Sequence, residues 1–449
     1  MNASEALSRT VLLSRDFIDD GIGDEEIVAA LLDTNVCIVA DEINLHFGAG
    51  QSAVVTLATL CLAMGASVKL AFPDVETAGF QPPLTEAFLR RGIIELSRDR
   101  IPGVFARAAI QSSSRDLVFV LGDTPWHGPA HTAWRLYGSD WVGGLAPIDA
   151  PVARWVSELP FGGLVAAVMA ADEPYKFAIR KLVAKQKLSF VEQQLAPVQE
   201  AAFSLAPNTT GLPVELELGT LDIVSGGAIT TSALHCLLRV PGLGAKARLI
   251  EPDIAEISNL NRYPLLRRRE VGQPKAEALQ RWQSPGFSIE PKVFAFEPSK
   301  LSDLEPLGNW VIVGTDAIPP RWLAQSQKPA WLGIGATAHF LTLTSEHRAG
   351  LGCAGCLHPT DDGLNAVIPT VSFVSYWAGL LVASRLVLAA MGKPAAPERQ
   401  ALNLWPLRLD LPRSAIWQPV RRNPTCPIDG SDTTPTPRNR TAAEIRAVA

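Results

Sequence analysis

Between Leu249 and Lys275 the chain reads Leu-Ile-Glu-Pro-Asp-Ile-Ala-Glu-Ile-Ser-Asn-Leu-Asn-Arg-Tyr and then closes on Val-Gly-Gln-Pro-Lys. A strand-like run, Ala247 to Ile250, ends on two carboxylates, Glu251 and Asp253, and breaks into a polar loop carrying Asn259, Asn261, Arg262 and Lys275. A carboxylate ending a strand roughly 20 to 30 residues past a glycine-rich turn can accept hydrogen bonds from ribose hydroxyls, and Glu251 is placed for that. Upstream, Leu221-Asp-Ile-Val-Ser enters a Gly226-Gly227 turn before a helix expected from about Thr230 to Arg239. The start of such a helix offers N–H groups to a phosphate. Arg262 and Lys275 supply the cations a triphosphate needs, while Asn259 and Asn261 add neutral donors that stabilise charge as it shifts. The outline is that of a nucleotide site.

The elements that must hold these groups follow from composition and periodicity. A chain of 449 residues, 47% hydrophobic and 19% charged, has material for two or three cores. A net charge of -5 does not indicate a nucleic-acid partner. Residues 1 to 20 lack the basic start and apolar core of a signal peptide. The apolar stretch Ala53 to Val68 is too short for a membrane span. A cytoplasmic location without membrane partners is therefore expected. Six cysteines, two of them spaced Cys-x-x-Cys, suit a reduced compartment with a metal site rather than a disulfide scaffold.

Residues 24 to 34 read as helix, Asn35 to Ala40 as a buried strand, Gln51 to Met64 as a helix and Ser67 to Phe72 as a second strand, which makes a βαβ unit. Asp116 to Asp123 supplies a later strand of the same sheet. The halves of the chain echo one another. Lys69-Leu-Ala-Phe-Pro-Asp74 parallels Arg248-Leu-Ile-Glu-Pro-Asp253, Asp140 to Ala146 parallels Ala330 to Ala336, and the helix Gly162 to Lys176 parallels Gly379 to Lys393. Two copies of one α/β domain are expected, with Phe72 where Glu251 stands. Residues 177 to 203 look helical, and Ala206-Pro-Asn-Thr-Thr-Gly-Leu-Pro213 is a turn-rich boundary. The expected division is 1–205, 206–430 and a disordered tail, 431–449, rich in Thr, Pro and Arg.

Ser258 to Arg262, Gly272 to Lys275, the strand Trp310-Val-Ile-Val-Gly-Thr-Asp316, Cys353-Ala-Gly-Cys356 and Cys426-Pro-Ile-Asp429 occur in that order. With the glycine turn they resemble the ThiF/MoeB and ubiquitin-activating-enzyme superfamily, over most of residues 215 to 430. The resemblance implies two Rossmann-like, ThiF-type adenylation domains in tandem, the first degenerate and the second active. Where the family turn reads Gly-x-Gly-Gly-x-Gly, Val224 stands at the first glycine and Ile229 at the last. Ile229 must then be accommodated where helix and strand pack closely.

The resemblance also implies roles. Asp316 binds Mg2+. Arg262, Lys275 and an arginine from the N-terminal half, Arg15 with Arg9 as second candidate, neutralise ATP. Gly226, Gly227, Glu251, Asp253 and Asn259 bind the nucleotide. Cys353, Cys356, Cys426 and Asp429 hold Zn2+, with His358 an alternative fourth ligand, since a tetrahedral site needs four. Cys37, Cys61 and Cys236 read as buried hydrophobes, and no thioester nucleophile follows the Cys-x-x-Cys. His127 and His131 form no cluster. The implied reaction is ATP-dependent adenylation of the terminal carboxylate of a ubiquitin-like protein ending in glycine, with transfer to a conjugating enzyme's cysteine. Activation of a sulfur carrier or peptide without a thioester, and a non-catalytic scaffold, are the alternatives. The assembly is a monomeric pseudo-dimer or a homodimer.

Overall fold

Apolar runs bounded by turn residues become the buried parallel centres of two sheets. The computed structural model describes residues 2–184, 189–207, 209–213, 215–304, 306–361, 363 and 368–428. The tail, with Asp429, lies outside them. The first sheet holds β1 (Asn35–Val39), β2 (Ser67–Ala71), β3 (Ala106–Ala108), β4 (Leu117–Leu121), β5 (Thr132–Gly138), β6 (Val142–Pro147) and β7 (Ala201–Ser204), in the order β3-β2-β1-β4-β5-β6-β7. The second holds β8 (Leu216–Val224), β9 (Leu243–Ile250), β10 (Phe287–Lys292), β11 (Trp310–Val313), β12 (Trp331–Ala338), β13 (Leu341–His347), β14 (Ala401–Leu404) and β15 (Ala415–Gln418), in the order β10-β9-β8-β11-β12-β13-β14-β15. Each sheet is parallel through its first five strands and antiparallel beyond. This is the tandem Rossmann-like architecture that the sequence implies.

The helices, in chain order, are α1 (Ala3–Ser14), α2 (Asp24–Leu32), α3 (Gly48–Met64), α4 (Leu89–Arg98), α5 (Phe161–Val183), α6 (Ser189–Gln194), α7 (Ala228–Leu237), α8 (Lys275–Gln280), α9 (Pro319–Ser326), α10 (Ala354–Leu357) and α11 (Ser372–Ala390). Of these, α11 is long and apolar enough to cross a membrane, yet 83% of its apolar window is buried. It packs against α7, β12, β13 and, from the other half, α5. The helix expected over 177–203 is instead the end of α5, then α6, then β7. Pro197 cannot continue a helix, and Ala201–Ser204 finds hydrogen-bond partners along β6.

Register makes the repeat explicit. Val39 lies between Ala71 and Val120 as Val224 lies between Ile250 and Val313, so Phe72 holds the place of Glu251 and Asp123 that of Asp316. The helix pairs cross alike. A Cβ on Gly163 would stand 2.2 Å from the Ala49 carbonyl oxygen, and one on Gly379 2.4 Å from that of Ile229. One expected correspondence is corrected. The strand equivalent to β12 is β5, parallel to its inner neighbour in both sheets, and Val142–Pro147 corresponds to β13. The small residues that suggested the match serve different contacts. Gly143 admits the carbonyl of Gly162, whereas Gly335 admits Ile229.

Candidate active site

The carboxyl ends of β8, β9 and β11 and the start of α7 surround a cleft of about 680 Å3. Ser225 turns the chain there with φ +85°, a left-handed conformation costing an ordinary residue about 1 kcal/mol or more. Its N–H donates to the Ile250 carbonyl at 2.9 Å and its hydroxyl accepts from Gly227 N–H at 3.0 Å. No side chain caps α7, so its first turn keeps the character of an anion site. Glu251 is buried. One carboxylate oxygen accepts from Gly226 N–H at 2.5 Å and the other from Asp253 N–H at 2.9 Å. Burial raises its pKa, and Lys275 and these two N–H donors oppose the rise. Glu251 therefore shapes the glycine turn as well as lining the cleft.

The predicted cations converge. Lys275 opens α8, and its Nζ lies 2.9 Å from Asp253 Oδ2. Burial would lower its pKa, but Tyr263, Glu251 and Asp253 raise it. Arg262 donates to the Ser258 carbonyl at 2.5 Å and to Asn261 Oδ1 at 2.8 Å. Across from them, Asp316 follows β11. Loss of hydration raises its carboxyl, while Arg321, Arg262, Arg9 and Lys275 pull it back. An accessible carboxylate beside a polyphosphate site suits Mg2+, which takes one or two carboxylates together with substrate phosphates.

The arginine from the first half is Arg9. It lines the cleft together with Thr370 and Ser375. Arg15 lies elsewhere: it ends α1, donates to the carbonyls of Asp19 at 3.1 Å and Ile22 at 2.7 Å, and pairs with Asp24. It closes the turn into α2. The link holding α1 against the cleft is Asn261, whose amide donates to Thr10 Oγ1 at 2.8 Å. Asn259 is also placed apart from the cleft lining. Its Oδ1 accepts from Glu256 N–H at 2.9 Å and caps a single 3-10 turn. Sequence reading missed Arg321. Arg321 stands five residues past Asp316 on α9 and donates to the Thr315 carbonyl at 2.8 Å. The lone arginine in α9 was the available signal.

The departures at the glycine turn are absorbed. Ile229 is 4% exposed, and its Cγ2 occupies space that a Cβ on Gly335 would enter at 2.6 Å. Gly314 stands equally close, and a Cβ there would meet Thr230 Cγ2 at 2.7 Å. Val224 completes the core beneath β8.

In the first half the equivalent place is filled. The eight residues 40–47 replace the three of 225–227 between strand and helix, and the helix correspondence puts His46-Phe47 where Gly226-Gly227 stand. Glu158 accepts from Gly48 N–H at 2.9 Å, so a carboxylate of the chain sits at the helix start. Asn44 Nδ2 donates to Asp123 Oδ1 at 2.9 Å, and Asn44 Oδ1 accepts from Trp155 N–H at 3.0 Å. In the first half a carboxylate of the chain thus stands where the second half has its open helix start, and Gly48 and Glu158 border a separate cavity of about 560 Å3.

The sulfur atoms of Cys353, Cys356 and Cys426 lie within 4.8 Å of one another. Three soft donors at that spacing fit zinc. Asp429 lies outside the described residues. His358, the alternative ligand, has Nε2 3.0 Å from Arg321, where it accepts a hydrogen bond. Cys37, Cys61 and Cys236 are buried. Burial pushes the thiols of Cys37 and Cys236 up to about 12.

No family model matches the chain. Over 244 residues it is 28% identical to the sulfur carrier protein adenylyltransferase of Thermus thermophilus, covering 49% of this chain and 85% of that protein. It is also 28% identical over 235 residues to an uncharacterised Sinorhizobium fredii protein, covering 50% of this chain but only 41% of the relative's length. Among solved structures, E. coli MccB with AMPCPP and MccA aligns at TM-score 0.40 and 14% identity, covering 66% of this chain and 97% of that one. MccB alone aligns at TM-score 0.39 and 18% identity, covering 47% and 65%.

Proposed function

We propose that this chain, a relative of the ThiF/MoeB adenylyltransferases, uses its second half to join the terminal carboxylate of a ubiquitin-like protein to AMP. The observation that supports this best is the meeting of Arg9, Arg262 and Lys275, from three separate elements, around Asp316 at the start of α7. An incoming carboxylate oxygen attacks the α-phosphorus of ATP, and the bond to the bridging oxygen breaks. Pyrophosphate leaves with the electron pair. Arg9 and Lys275 offset the charge that builds on the leaving group, and Arg262, pinned by Ser258 and Asn261, holds a fixed cation that needs no reorganisation. Glu251 seats the ribose and the uncapped first turn of α7 faces the phosphates, while the Gly226 and Gly227 N–H groups are held by Glu251 and Ser225 and leave room for the nucleotide. Asp316 would hold magnesium, which would supply Lewis acidity at the phosphates.

The mixed anhydride would then pass to a conjugating enzyme's thiol. A second reading, activation of a sulfur carrier or peptide without a thioester on this chain, is favoured by the cysteines. Burial raises the thiol pKa of Cys37, Cys61 and Cys236, and Cys353, Cys356 and Cys426 are clustered, which leaves none among the described residues placed as an acyl acceptor beside Asp316. Carrier-dependent exchange of labelled pyrophosphate into ATP tests the shared first step, and it should vanish in Asp316→Ala. Exchange absent from the wild type with a ubiquitin-like carrier ending in glycine supplied would leave only the scaffold. A reductant-sensitive adduct between chain and carrier would favour the thioester route over the second reading.

A further inference from the structure

Helix α9 touches two sites at once. On one side Arg321 donates to the Thr315 carbonyl at 2.8 Å, immediately before Asp316. On the other, the same guanidinium lies 3.0 Å from His358 Nε2, two residues past Cys356. Two further bonds fasten the helix to that segment. Trp322 Nε1 donates to the His358 carbonyl at 2.8 Å, and Gln325 Oε1 accepts from Ala354 N–H at 3.1 Å. Arg321 is 4% exposed. A buried guanidinium is costly unless its donors are used, and with Nε left without a partner among the described residues the two Nη bonds are what hold it.

We propose that Arg321 is a positioning residue for Asp316, and that through His358 it ties the Cys353–Cys356 segment to the loop that holds magnesium. The inference rests on the adenylation reading for the purpose of the aspartate, but the tie itself is a property of the fold. A planar fork reaches the Thr315 carbonyl and the imidazole together, and an ammonium reaches one. With Arg321 in place the Thr315–Ala317 turn has one orientation. Without it the carbonyl loses its anchor and Asp316 must be ordered by the metal at the moment of binding, which weakens binding.

Two readouts test this on the full chain. Hydrogen exchange at the amides of residues 315–317 should quicken about tenfold in Arg321→Met and in His358→Leu, with Arg321→Lys intermediate and β11 unchanged. In calorimetry with ATP, the magnesium concentration for half-saturation should rise about tenfold in Arg321→Met, while ATP affinity without magnesium stays the same. Unchanged exchange at 315–317 and an unchanged magnesium requirement in Arg321→Lys or Arg321→Met would overturn the proposal. A wild-type response in His358→Leu alone would overturn the tie to the cysteine segment. If the wild type shows no magnesium-dependent ATP binding, the adenylation reading fails, and the exchange measurement still decides the role of Arg321.

Discussion

Ile229 and Gly335 divide one space between them: the Cβ that Gly335 lacks would lie 2.6 Å from Ile229 Cγ2. The isoleucine at the last position of the glycine turn is thus matched by a glycine on β12. Gly335→Ala should cost about 2 kcal/mol through overpacking, read as a lower denaturation midpoint. Adding Ile229→Ala should recover most of that loss, a coupling of about 1 kcal/mol or more in a double-mutant cycle. Additive effects would mean that the two side-chain positions do not share this space.

Arg9 and Arg15 separate function from fold within one helix. Arg9→Ala should lower pyrophosphate exchange about a hundredfold with little change in melting temperature, as expected for a donor acting on transition-state charge. Arg15→Ala should leave exchange intact and shift stability by less than about 1 kcal/mol, because its partner Asp24 is 71% exposed. Kinetic equivalence of the two variants would contradict the placement of α1.

The Asp316 carboxyl gives a pH signature. Loss of hydration raises its folded-state pKa, so the ligand-free protein loses stability as pH rises from the unfolded value through the folded one. Asp316→Asn should therefore stabilise the ligand-free chain near neutral pH. The gain should disappear below about pH 3.9, where the unfolded-state carboxyl is protonated too. Thermal unfolding at the two pH values reads this directly, and a variant less stable than wild type at neutral pH would contradict it.

Metal analysis of the purified chain should find about one zinc per molecule, lost in Cys356→Ser together with a clear fall in melting temperature. Metal-free protein of equal stability would count against the cluster as a zinc site.

Much of this was legible in sequence because it follows from local chemistry. Glu251, Lys275 and Asp316 each sit at the end of a strand or the start of a helix, and those boundaries are written in apolar runs and turn residues. The filling of the first half was legible only at Phe72. That Glu158 covers Gly48, 110 positions away in the chain, depends on how distant segments meet. Asn259 looked like a phosphate donor because Asn-Leu-Asn-Arg carries no sign of which asparagine caps its own turn. Nothing local in the sequence marks Arg9 over Arg15. Which face of α1 meets the cleft is set instead by Asn261 reaching Thr10, a contact between halves.

The central claim is that one half of the chain binds Mg-ATP and the other does not. Calorimetric titration of the full chain with ATP and magnesium should give one site per molecule, abolished by Lys275→Ala with Asp316→Ala and unaffected by Phe72→Ala. No binding, or two equivalent sites, would contradict the account.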